Sequence, residues 1–89
     1  MSNVFIAFQR NEETRCIVDA IMVDNPNATV NFQPAMVRID APDTMVIRRS
    51  TVAEQMGREF DLQELHINLI TLTGHINETD DDFTLSWKH

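Results

Sequence analysis

Residues 34–64, PAMVRIDAPDTMVIRRSTVAEQMGREFDLQE, constrain the fold of this chain more than any other stretch. Val37, Ile39 and Ala41 alternate with Met36, Arg38 and Asp40, the period of a strand with one face inward. Ala41-Pro42-Asp43-Thr44 then predicts a turn, because proline fixes φ and aspartate bonds its own backbone readily. A second strand follows, with Met45 and Ile47 on one face and Val46 and Arg48 on the other. Thr51 and Glu54 have the spacing of a capping box, with Ser50 as a competing cap, and Gly57 is placed to stop a short helix. Asp61 and Glu64 predict one more helical turn around Leu62 and Leu65.

The flanking residues extend the same alphabet. Val4–Phe8 is a short apolar strand, and Asn11 caps a helix reaching about Asp24, with Glu12 and Glu13 favourable at its positive end. Cys16, Ile17, Val18, Ala20, Ile21, Met22 and Val23 give that helix an unusually wide apolar arc. Asn25-Pro26-Asn27 ends it, and Ala28, Val30 and Phe32 alternate with polar residues in a further strand. His66–Thr73 reads as an apolar strand broken by Gly74, HINETDDD as an acidic solvated loop, and Phe83, Leu85 and Trp87 as the inward side of a last strand whose other side is Thr84, Ser86 and Lys88. The order is strand, helix, strand, strand, given twice. It predicts a single α+β domain of two βαβ-type halves, about 3–41 and 45–88, with helices packed on a twisted mixed sheet.

Bulk properties exclude several functions. A chain of 89 residues with net charge −7 lacks the basic footprint that nucleic acid or an anionic membrane requires. No apolar run approaches the ~20 residues of a membrane span. The start has no basic, apolar signal pattern, and Cys16 is the lone cysteine, so the expected compartment is cytoplasmic. Cys16 sits within the helix's apolar arc, away from any feature that would lower its pKa, and reads as a packed thiol. His75 with Asp80, Asp81 and Asp82 lacks the spacing of a calcium or zinc site, and His66 and His89 have no partner at helical spacing. Gly57 and Gly74 are the only glycines, too few and too far apart for a phosphate loop. No catalytic residues, metal ligands or cofactor site are expected.

Two features point to a protein partner. Arg38, Arg48, Arg49 and Arg58 place four of seven basic residues in the central stretch of an acidic chain. Arginine suits oriented contacts to carboxylates, whereas pairing within the sheet surface to Asp40, Asp43 and Glu54 is the alternative. Val18 and Met22 widen the helix's apolar arc, which serves either the core or self-association.

The chain also resembles the small effector (coupling) proteins of bacterial multicomponent monooxygenases, the phenol hydroxylase regulatory branch in particular. The likeness runs through VFIAFQ (4–9), IVDAIMVDNPNA (17–28), PAMVRIDA (34–41), IRRSTV (47–52), GREFDLQE (57–64) and DDDFTLSWK (80–88). Phe60 stands where relatives tend to carry tryptophan, and the longer N-terminal tail of the methane monooxygenase effector has no counterpart. The resemblance implies a regulatory subunit without cofactor. It would dock on the di-iron oxygenase component near the helices that carry its metal site, and would couple the reductase's electrons to hydroxylation. Met45, Arg48, Arg49, Gln55 and Arg58 are the expected partner contacts. The competing expectation is a stand-alone small-molecule-binding regulatory domain, which requires a polar or glycine-lined ligand pocket.

Overall fold

The computed structural model describes residues 3–87, so Lys88 and His89 lie outside the described residues. Seven strands form: β1 (Asn3–Gln9), β2 (Thr29–Phe32), β3 (Met36–Pro42), β4 (Thr44–Arg48), β5 (Leu69–Thr73), β6 (His75–Glu78) and β7 (Asp82–Ser86). The helices are α1 (Glu12–Asp24), α2 (Arg49–Met56) and the single turn α3 (Leu65–Asn68), which continues from a 3₁₀ turn at Leu62–Glu64.

The α+β class stands, and the strands divide between two sheets. One has the order β2-β3-β1-β5 and the other β4-β7-β6, with every described pairing antiparallel rather than mixed. The two sheets share a plan. β1 and β2 run the same way with β3 between them, and β4 and β6 run the same way with β7 between them. β5 is the departure, because it follows α3 yet pairs with β1 in the first sheet. The chain therefore crosses between sheets at Asp43 and again at Gly74, and each of these residues has positive φ, 63° and 133°. Aspartate tolerates the left-handed region. Gly74 has a second reason, since a Cβ there would lie 3.0 Å from side-chain carbons of both Val4 and Leu85, one from each sheet.

One core spans both sheets. Val4, Ile6 and Phe8 pair with Ala41, Ile39 and Val37, and all six are buried. Met45, Ile47, Phe83 and Leu85 of the second sheet join them, together with Ile17, Val18, Ala20 and Ile21 of α1 and Val52 of α2. Val18 is buried and Met22 packs against this core, so these two residues of the α1 arc serve the interior and the contact with α2, while Val23 is 62 % exposed. Phe60 is likewise buried.

Local signals explain most boundaries. Asn11 Oδ1 accepts from Thr14 N at 2.9 Å, closing the first turn of α1. Gly57 ends α2 in the left-handed region (φ 73°). Asp61 and Glu64 form a reciprocal capping box, Asp61 Oδ1 accepting from Gln63 N and Glu64 Oε2 from Asp61 N. The Thr51–Glu54 box does not form, because α2 already begins at Arg49, with Arg48 in the capping position and no side-chain cap. Residues 66–68 are helical rather than extended, since the Asp61 cap propagates through the 3₁₀ turn into α3. Residues 75–78, expected as loop, are the edge strand β6. Trp87 lies past the end of β7 and is 49 % exposed instead of facing the core.

Candidate docking surface

The expected contact residues separate into a surface group and one core residue. Met45 is fully buried: it shares a face with Ile47, and both pair with Leu85 and Phe83 inside the core. It supports β4 from below and cannot touch a partner. Arg48, Gln55 and Arg58 are exposed, and Arg49 is half-buried.

Arg48 and Arg49 sit at the β4–α2 junction. Arg48 pairs across the sheet with Asp82 and, among the described residues, makes no ion pair. Arg49 is held twice by Asp81: its backbone N–H donates to the Asp81 carbonyl at 2.8 Å, and Nη2 lies 2.9 Å from Oδ1. That pairing raises the Arg49 pKa above its ordinary value. Arg58, just past α2, donates from Nη2 to Glu64 at 3.1 Å and Glu13 at 3.3 Å, and from Nη1 to the Glu59 carbonyl at 2.7 Å. The Glu64 contact raises the Arg58 pKa and, with the Asp61 N–H, lowers that of Glu64.

Arg49 lines a surface cleft of about 510 Å³, together with Glu59, Asp61, Glu64, Glu78 and Asp80, and Arg58 borders it through its bonds to Glu59 and Glu64. The pairing alternative is realised for Arg38 with Asp40, while Arg49 pairs with Asp81 and Arg58 with Glu13 and Glu64, none of them the carboxylates expected for the sheet surface. Exposed pairs of this kind add little stability and can exchange partners.

Behind Arg58 a polar chain ties the helices together. Glu13 Oε1 accepts from Asn68 Nδ2 at 2.8 Å, and Asn68 Oδ1 accepts from Asn11 Nδ2 at 3.0 Å. Asn68 is buried, so this network fixes the N-terminus of α1 against α3 and holds the Arg58 side of the cleft in place.

Further exposed features lie outside this cleft. The outward face of the first sheet carries Arg38, whose guanidinium stacks 3.9 Å from the Phe5 ring centroid while Nε bonds Asp40 at 2.8 Å. Ile67 (68 % exposed) and Ile70 (48 % exposed) flank the start of β5, with Ile70 at the β1–β5 register shift. The bulge turns Ile70 outward within an otherwise apolar run, while Ile67 lies in α3. A second open cleft, about 610 Å³, lies between the start of α1 and Phe32, with Arg10 5.4 Å above the Phe32 ring.

Among the described residues no three histidine, cysteine, aspartate or glutamate side chains converge as a metal site. No helix of the described residues is long and apolar enough to cross a membrane. The arrangement defines a class: a compact α+β domain whose exposed arginines, acidic cleft and isolated apolar side chains suit binding to another protein.

The chain belongs to the MmoB/DmpM family, which it matches over residues 2–86. It is 49 % identical over 88 residues to the stimulatory component DmpM of phenol 2-monooxygenase from Pseudomonas sp. (strain CF600), covering 99 % of this chain and 98 % of that protein. Its fold superposes on a chain from a structure of the phenol hydroxylase–regulatory protein complex with TM-score 0.92 at 46 % identity, covering 98 % of this chain and all of that one. The soluble methane monooxygenase regulatory protein B shares the fold alone, with TM-score 0.77 at 16 % identity over 97 % of this chain and 65 % of that one.

Proposed function

We propose that this chain is the stimulatory component of a phenol hydroxylase, a non-catalytic subunit that binds the di-iron oxygenase component and is needed for efficient, coupled hydroxylation. The observation that carries this reading is the near-complete correspondence, 46 % identical at TM-score 0.92, with a chain of the phenol hydroxylase–regulatory protein complex. A subunit of this kind acts by binding one oxygenase conformation better than another, and it shifts the equilibrium only by that difference. The reductase is served indirectly, through the oxygenase state that accepts its electrons, and all components share the cytoplasm.

The docking surface we favour centres on Arg48 and Gln55, with Arg49 and Arg58 beside them. Among the described residues Arg48 has no ion pair to give up, so a partner carboxylate would meet an available guanidinium. Arg49 and Arg58 would exchange exposed internal carboxylates for those of the partner at small cost. Phenol hydroxylation by a purified oxygenase–reductase pair, titrated with this protein, tests the reading. Turnover should rise and saturate near one equivalent per oxygenase active site. Unchanged turnover and no oxygenase binding, across two phenol oxygenases, would reject it.

A further inference from the structure

Two arginines of this acidic chain stand without a carboxylate beside the same exposed aromatic ring. Arg10 and Arg15 both line the open cleft of about 610 Å³ at the start of α1, and among the described residues neither makes an ion pair. The chain has 14 acidic residues against seven basic ones, so carboxylates are plentiful, yet none is brought to this pair. Glu12 lines the same cleft and stays beyond ion-pair distance of both.

Arg10 is fixed from two sides. Its backbone N–H donates to the Ala35 carbonyl at 3.3 Å, and Nη1 donates to the Gln33 carbonyl at 3.0 Å. The guanidinium lies 5.4 Å from the centroid of the Phe32 ring. Phe32 ends the edge strand β2 and pairs with the buried Val37, which sets it on the core side of the sheet, yet it is 53 % exposed. Pro34 and Val37 continue the apolar lining, and Asn11 brings the positive end of the 13-residue α1 to the rim. Arginine and aromatic side chains are the types enriched where proteins meet.

The position joins this cleft to the docking surface. Glu13, which accepts from Arg58, and Arg15 diverge by about 160° around α1, with Glu12 on the ridge between them. One helix, about 10 Å across, therefore separates Arg58 from the cleft. The cleft sits at the Gln9 end of β1. The outermost described residues belong to the opposite end, where Asn3 pairs with Pro42 and Trp87 N donates to the Asp43 carbonyl.

We propose that the oxygenase component seats an acidic side chain with an apolar neighbour in this cleft. Arg10 and Arg15 bind the carboxylate, and Phe32 and Pro34 take the apolar group. The inference rests on the docking function above and extends its surface over the first turn of α1, apart from Arg48 and Gln55. A partner carboxylate supplies the counter-charge that these arginines lack within the chain, and no internal ion pair is broken to admit it. Arg10 is already held over the ring, so little side-chain freedom is lost on binding.

The test uses the full chain and a purified phenol hydroxylase oxygenase component, with affinity measured by calorimetry at several salt concentrations. Arg15→Gln removes an exposed charge that has no ion pair among the described residues, so its thermal midpoint should match wild type. It should bind about threefold to tenfold more weakly and show a shallower salt dependence. Arg15→Glu should bind more weakly still. Phe32→Ser should weaken binding and leave the salt dependence as it was. Wild-type affinity in both Arg15 variants overturns the proposal, whatever Phe32→Ser does, because that change also alters the packing of β2. Arg48→Ala separates this inference from the function it rests on: if it weakens binding and the Arg15 variants do not, the docking function stands and the cleft has no part in it. Wild-type protein that neither binds nor stimulates the oxygenase defeats the docking function, and this proposal with it.

Discussion

Asn25→Ala is the substitution from which the structure predicts the largest effect for the fewest atoms. The Asn25 amide bridges two elements. Nδ2 donates to the Ile21 carbonyl at 2.8 Å and to the Val46 carbonyl at 2.7 Å, while Oδ1 accepts from Val46 N at 2.9 Å. β4 is an edge strand whose sheet neighbour is β7, and Val46 directs its N–H and C=O away from that neighbour. The side chain therefore stands in for one residue of a missing strand, and it also caps α1. Alanine would leave both Val46 groups without partners in a partly buried place. Each such loss costs about 1–3 kcal/mol, tempered by water at the strand edge, so a total on the order of 2–4 kcal/mol is expected. With roughly 2.1 cal/mol/K of unfolding entropy per residue, a chain of 89 residues should then melt about 10–20 °C lower. Asn25→Asp keeps the acceptor, loses both donors and sets a charge against two carbonyls, so it should fare no better. Thermal unfolding followed by circular dichroism measures both. A midpoint within about 3 °C of wild type for Asn25→Ala, smaller than a single kcal/mol would give, would refute the bridging role.

Three other outcomes follow from the same geometry. Gly74→Ala places a methyl 3.0 Å from Val4 Cγ1 and Leu85 Cγ at a φ of 133°, and should cost about 2–5 kcal/mol in urea unfolding; a loss below about 1 kcal/mol would mean that the sheets part easily there. Glu64 has a lowered folded-state pKa, held down first by Arg58, so its contribution is present above the unfolded-chain value and is lost as pH falls through the folded value. The stability gap between wild type and Arg58→Ala should therefore shrink from pH 7 to pH 3, and a gap independent of pH would contradict the assignment. Met45→Ala, emptying a fully buried site, should cost about 2–5 kcal/mol, whereas Arg48→Ala should leave stability unchanged and weaken oxygenase binding. The reverse pattern would exchange their roles.

What could be read from the residues was what is decided locally. The Asn11 cap, the alternation of Val37, Ile39 and Ala41, the Gly57 stop and the Asp61–Glu64 turn all depend on neighbours within four positions. The division into two sheets was not legible, because which strand pairs with which is settled by closure of the whole core. β6 was invisible for a different reason: His75, Ile76, Asn77 and Glu78 are all exposed, so its sequence carries no inward-outward alternation. Of the expected contact residues Met45 is buried, because period-two spacing sets it beside Ile47 and that pair, not Val46 and Arg48, faces inward. Asn25 gave no signal beyond ending a helix, since its bridging role depends on β4 arriving from elsewhere.

The two crossings account for how so small a domain can present one rigid surface. Each sheet alone would leave its inner face uncovered and could bury only a thin layer. By passing from the first sheet to the second at Asp43 and at Gly74, and returning through α3 to place β5 beside β1, the chain makes either sheet depend on the other. Val4 and Leu85, one from each sheet, meet at Gly74, and Asn25 fastens α1 to β4 close to Asp43. Load at the β4–α2 junction is thus carried by a shared core and not by one loose hairpin. A subunit that works by favouring one conformation of a much larger partner needs that property, because a surface that yields on contact would spend its differential binding energy on its own rearrangement.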